Sequence, residues 1–137
     1  MGRLVYLLDT NVILEFLLDQ EKASDVERLL RETEAGKLYL TEFALYSLGI
    51  LLMRRKRYET FLQILDDLLL HRRARLIRLG VRDMKAVADA SRTHNLDFDD
   101  AYQYAAAEKR KLIIVSFDGD FDRTPKGRKT PAEVLIG

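Results

Sequence analysis

Short apolar runs alternate along this chain with longer stretches whose apolar residues recur every three or four positions. Arg3 to Leu8 is an apolar run ending at Asp9, the pattern of a buried strand. Asp9-Thr10-Asn11 offers N-cap chemistry for a short helix over Val12 to Leu18. Ala23 to Ala35 is amphipathic, with Val26, Leu29 and Leu30 on one face and Gly36 as its stop. Lys37 to Leu40 reads as a second strand, and Thr41 as the cap of a helix from Glu42 to about Met53. Tyr58 to Leu70 is expected to be helical, burying Phe61, Leu62, Leu65 and Leu69. Arg75 to Leu79 alternates basic and apolar residues, which suits a strand near an edge. Val81 to Thr93 is a further helix, with Met84, Val87 and Ala88 inward and His94-Asn95 as its stop. Asp97 to Lys109 is another helix, and its small residues Ala101 and Ala105 to Ala107 permit close packing. Leu112 to Val115 is the most strand-like run, and the tail, which holds both prolines, reads as a loop with a brief final element.

Strands alternating with helices predict an α/β domain of three layers, α/β/α, with a mostly parallel central sheet. No repeat, linker or low-complexity segment interrupts the pattern, so 1–137 is expected to be a single domain. An apolar fraction of 47% and a charged fraction of 33% are ordinary for a globular protein. The longest apolar run falls short of the about 18 residues of a membrane span, and Met1-Gly2-Arg3 with the following run lacks the form of a secretory leader.

The chain has no cysteine and only two histidines, His71 and His94. Disulfides, thiol nucleophiles and thiolate zinc sites are thereby excluded, and a cytoplasmic setting is expected. Any metal must rest on oxygen ligands, which favours magnesium or manganese. A net charge of +1 conceals an uneven layout. Arg54 to Arg57, Arg72 to Arg75, Lys109 to Lys111 and the tail from Arg123 to Lys129 are basic, whereas acids gather at Asp9, Asp97 to Asp100 and Asp118 to Asp122. Acidic points in basic surroundings suit metal ions together with a polyanion.

Sites in open parallel sheets form beyond the carboxyl ends of the strands. Two expected strands end in acid: one runs into Asp9, the other is followed by Asp118. Asp99-Asp100 opens a helix, where the backbone dipole favours a carboxylate. Carboxylates brought together repel, and a divalent cation removes that conflict. Each acid also has a plainer role, as a helix cap or an acidic turn. Tyr102 and Tyr104 are read as packing residues, and His71 and His94 as helix-end residues.

Three segments carry a resemblance. Leu7-Leu8-Asp9-Thr10-Asn11-Val12, Leu96-Asp97-Phe98-Asp99-Asp100-Ala101 and Val115-Ser116-Phe117-Asp118-Gly119-Asp120-Phe121 resemble, in order and spacing, the first, third and fourth motifs of the PIN-domain nucleases. More narrowly, the chain is similar to the small ribonuclease toxins of VapC type. The resemblance implies that Asp9, Asp100 and Asp118 are catalytic, metal-binding carboxylates, with Asp99 and Asp120 as further direct or water-mediated ligands. Thr10, Asn11 and Ser116 would orient them by hydrogen bonding. It also implies Mg²⁺ or Mn²⁺ as cofactor, RNA as substrate, a small antitoxin as partner and a homodimer formed through the helices.

One position departs from the pattern. Family members of this type place another acid about six residues past the start of the helix after the second strand, and Ser47 stands there. Glu42 is the nearby acid, five residues earlier and about 140° around the helix. Either Glu42 reaches the site from the first turn or Ser47 replaces the ligand. If the acid set is incomplete, the alternative is a PIN-fold module that binds RNA or protein without cutting. A haloacid-type phosphatase is disfavoured, because Asn11 stands where its second aspartate belongs.

Overall fold

The computed structural model describes residues 4–136, so the expected strand start at Arg3 lies outside the described residues. Its order is β1 (Tyr6–Leu8), α1 (Thr10–Leu17), α2 (Ala23–Glu32), β2 (Leu38–Thr41), α3 (Glu42–Arg54), α4 (Tyr58–Ile64), β3 (Ala74–Ile77), α5 (Met84–His94), α6 (Phe98–Arg110), β4 (Ile113–Val115) and α7 (Pro131–Ile136). Four strands in the order β3-β2-β1-β4 make one sheet, and every pairing is parallel. The sheet is therefore wholly parallel rather than mostly so.

Successive strand residues point to opposite faces, and the two cores follow that alternation. Leu7, Ile114 and Tyr39 pack on one side with α5 and α6. Leu8, Val115, Leu38 and Leu40 pack on the other with α1, α2, α3 and α4. Three layers result.

Chain direction creates the feature that matters for function. After β1 the chain builds β2 and then β3 to one side, and only afterwards returns to place β4 on the other side of β1. Strand order thus reverses at β1, leaving a crevice beyond the carboxyl ends of β1 and β4. Asp9 follows the first of these strands and Ser116 the second.

Some helix faces differ from the periodic reading. Leu62 is exposed, while Ile64 and Leu68 are buried: the inward stripe runs through Phe61, Ile64, Leu65, Leu68 and Leu69, and Leu62 lies about 100° around the helix from Phe61. Ala88 is exposed and Ala90 buried; neighbours in a helix lie about 100° apart, so Val87 and Ala88 do not share the narrow inward stripe. Gly36 does not end α2, whose cap is the extended Thr33. With φ +88° it instead serves the turn into β2, a left-handed conformation suited to glycine. The tail is a loop with a brief final element, α7, as expected, and a 3₁₀ turn at Gly119–Arg123 precedes it. Asn95, in the left-handed region, ends α5 as expected, and β3 is an edge strand.

Candidate metal centre

Asp9 is the junction of β1 and α1. Its backbone is extended, its N–H donates to the Val115 carbonyl of β4 at 2.9 Å, and its side chain accepts from the Thr10 N–H at 2.9 Å. The plain capping role and a site role therefore coexist in one residue. Only 8% exposed, the carboxylate takes three hydrogen bonds. Oδ1 accepts from Thr10 N and, at 3.2 Å, from Gln103 Nε2; Oδ2 accepts from Ser116 Oγ at 2.7 Å. An ionised carboxylate has about four acceptor positions, so capacity remains on the side facing the crevice. Burial raises its pKa, opposed by the bonds from Ser116, Gln103 and Thr10.

Ser116 is a hub at the end of β4. Its hydroxyl donates to Asp9 and accepts from Asn11 Nδ2 at 3.3 Å and from the Asp118 N–H at 2.9 Å. Asn11 also accepts from the Phe117 N–H at 3.2 Å. Asn11 thus orders the turn that presents Asp118 and reaches Asp9 through Ser116, while Thr10 acts on Asp9 through its backbone. Asp118 itself caps the following 3₁₀ turn, accepting from the Asp120 N–H at 2.8 Å.

From the opposite wall, α6 brings Asp99 and Asp100 in its first turn. Asp9, Asp99, Asp100 and Asp118 line a single hollow of about 230 Å³, shared with Ser47 and Gln103. Carboxylate oxygens of Asp100, Asp118 and Asp120 lie within 4.8 Å of one another. Burial first, then the charges of Asp118 and Asp9 and a hydrogen bond with Asp118, push the Asp100 carboxyl up to about 7.

Among the described residues, none of Asp9, Asp99, Asp100 and Asp118 has a cationic side chain within ion-pair distance. Asp120 does: Arg123 Nη2 lies 2.7 Å from its Oδ1, so this carboxylate is partly neutralised. Hard divalent cations bind oxygens at about 2.0–2.6 Å, so opposite ligands stand about 4–5 Å apart. The donor set fits such an ion in chemistry and in spacing.

The two candidates for the remaining acid position part company. Ser47 lines the hollow. Glu42 does not: its Oε2 pairs with Arg78 Nε at 2.8 Å and its Oε1 accepts from the Tyr46 hydroxyl at 2.7 Å. Five residues of helical rotation, about 140°, carry Glu42 to another face of α3. Tyr102 and Tyr104 are buried packing residues.

Gln103 is the site residue that reading the sequence missed. It lies one turn after Asp100 and is 2% exposed. A lone polar residue among Ala101, Tyr102 and Ala105 to Ala107 was the available signal, since burying an amide requires hydrogen-bond partners.

Residues 6–127 match the sequence model of the PIN domain, and the chain belongs to that family. No curated protein sequence matches it. Solved structures share its fold. A toxin–antitoxin complex from Klebsiella pneumoniae superposes with a TM-score of 0.73 at 16% identity, over 92% of this chain and 97% of that one. The sarcin–ricin-loop-cleaving toxin VapC20 of Mycobacterium tuberculosis gives 0.72 at 18% identity, over 85% and 92%. VapBC2 from Rickettsia felis, bound to a DNA fragment from its promoter, gives 0.68 at 15% identity, over 92% and 97%. At these identities the likeness is one of fold.

Proposed function

We propose that this protein is a metal-dependent endoribonuclease, with Asp9, Asp100 and Asp118 as its catalytic carboxylates. The observation that carries the reading is the hollow at the strand-order reversal, which these acids line without a cationic partner among the described residues. Membership of the PIN family supports it. Asp9, Asp99, Asp100, Asp118 and, if it exchanges Arg123, Asp120 would hold Mg²⁺ or Mn²⁺. Bound there, the cation supplies positive charge to a phosphate oxygen and lowers the pKa of an attacking water.

The chain's own residues do the rest. Thr10 N–H, Gln103 and Ser116 fix Asp9 before substrate arrives, so little reorganisation remains. Ser116 and Asn11 set the turn that aims Asp118. The Asp100 carboxyl, pushed up to about 7, gives up its proton on loading because ligands bind as carboxylates. Exposed basic runs, among them Arg54 to Arg57, draw in the phosphate backbone.

Toxin–antitoxin complexes among the structural neighbours support a place in such a pair, with a small antitoxin as partner and a homodimer as the working unit. No helix among the described residues is long and apolar enough to cross a membrane. A short antitoxin-like reading frame beside the gene would strengthen that assignment.

Cleavage of single-stranded RNA in Mn²⁺ tests the reading. Wild-type protein should cut, while Asp9→Asn and Asp100→Asn should not. Equal activity in the variants would overturn the catalytic assignment. Ser47 in the hollow favours one second reading, a module that binds RNA without cutting because its acid set is one short. Retained RNA binding with no cleavage by wild type in Mn²⁺ would favour it.

A further inference from the structure

We infer that Gln103 is a positioning residue for Asp9, tying the metal centre to the corner between β2 and α3. The inference rests on the reading that the hollow holds a divalent cation. Gln103 is enclosed within α6 packing, and both ends of its amide are engaged. Oε1 accepts from Thr41 Oγ1 at 2.7 Å, and Nε2 donates to Asp9 Oδ1 at 3.2 Å. Among the described residues no buried side-chain polar atom lacks a partner.

The direction of these bonds is set by their neighbours. Thr41 Oγ1 accepts from the Ala44 N–H at 2.9 Å as the cap of α3, and its single hydrogen points to the Gln103 oxygen. The amide nitrogen must then face Asp9, where an ionised carboxylate can only accept. At the other oxygen, Ser116 already accepts from Asn11 and Asp118, so its one hydrogen goes to Asp9 Oδ2. Asp9 is gripped from two sides by donors whose polarity is fixed. One grip comes from the end of β4; the other reaches β2 and α3 through Gln103 and Thr41. The second grip faces the helix that carries Ser47 into the hollow.

Gln103 therefore governs how Asp9 presents its remaining acceptor position to a cation, rather than how RNA binds. Loss of a hydrogen-bond partner to a metal ligand weakens metal affinity by about 10–100-fold in comparable sites. The test is Mn²⁺ titration calorimetry without RNA, on wild type, Gln103→Met and Gln103→Asn. Methionine keeps the volume but lacks the amide; asparagine keeps the amide but is too short to span Thr41 and Asp9. Both should bind Mn²⁺ about ten-fold more weakly, with KM for RNA within about two-fold of wild type at saturating Mn²⁺.

Thr41 supplies a readout that altered packing alone would not produce. Thr41→Val should weaken Mn²⁺ binding in the wild-type background and add nothing in the Gln103→Met background, whereas Thr41→Ser should leave it unchanged. Wild-type Mn²⁺ affinity in both Gln103 variants would overturn the inference and leave the nuclease reading intact. Absence of Mn²⁺ binding by wild type would overturn both.

Discussion

The hollow between α5 and α6 holds Asp83 and Asp89, and each has a cationic partner. Lys109 lies 3.0 Å from Asp83, and Lys85 and Arg92 flank Asp89 at 3.1 and 2.7 Å. The hollow at the ends of β1 and β4 is smaller, about 230 against 550 Å³, yet it gathers Asp9, Asp99, Asp100 and Asp118, none of them ion-paired among the described residues. Size does not mark the proposed metal site. Uncompensated like charge does, because it disfavours the ionised metal-free state and leaves room for an ion from solution.

That contrast can be broken by exchanging the two kinds of carboxylate in experiment. Asp118→Asn should lower Mn²⁺-dependent RNA cleavage by more than about a hundred-fold, since losing a ligand exceeds the effect of losing its supporting bonds. Asp83→Asn, in the compensated hollow, should leave the rate within about two-fold of wild type while weakening only a surface pair. Similar losses in both variants would end the distinction. Supplying the missing acid should sharpen it. Ser47→Glu is expected to tighten Mn²⁺ binding by about ten-fold, as added ligand charge does in oxygen-donor sites, and to lower the melting temperature of the metal-free protein. Calorimetric titration and a thermal melt read the two effects.

A smaller effect concerns pH. The folded-state carboxyl of Asp100 is pushed up to about 7 from its ordinary 3.8. A raised acid binds its proton more tightly when folded, so this stabilisation is complete below the unfolded value and is lost as pH rises through the folded one. Metal-free protein should therefore lose melting temperature between about pH 4 and about pH 7. Mn²⁺ requires ionised ligands, so the gap between melts with and without it should widen from about pH 5 to about pH 8. A constant gap would argue against a proton being displaced from Asp100. Smallest of all should be Glu42→Gln. Its partner Arg78 has a side chain 73% exposed, so the pair contributes less than about 1 kcal/mol, and Mn²⁺ affinity should stay unchanged in the same titration.

Strands ending in acid were legible because a buried strand is a continuous apolar run and its end is abrupt: Leu8 to Asp9, and Val115 through Ser116 to Asp118. From those runs followed the mostly parallel sheet with helices on both faces and acids at one sheet edge, whereas the choice of Asp100 beside Asp9 and Asp118 came from the PIN resemblance. Helix faces were less legible, as Leu62 and Ala88 demonstrate, because one residue of rotation, about 100°, moves a side chain off the inward stripe without changing composition.

Local sequence determined which segments become strand or helix and which carboxylates stand at their ends, since apolar periodicity and capping act over a few residues. Tertiary structure alone decided that Ser47 rather than Glu42 faces the hollow and that Arg78 holds Glu42. It also decided that Gln103, sixty-two positions from Thr41 in sequence, links that cap to Asp9. Hydrogen bonds and ion pairs extend only about 3–4 Å, so their partners are fixed when the sheet closes and the layers meet, not by neighbours along the chain.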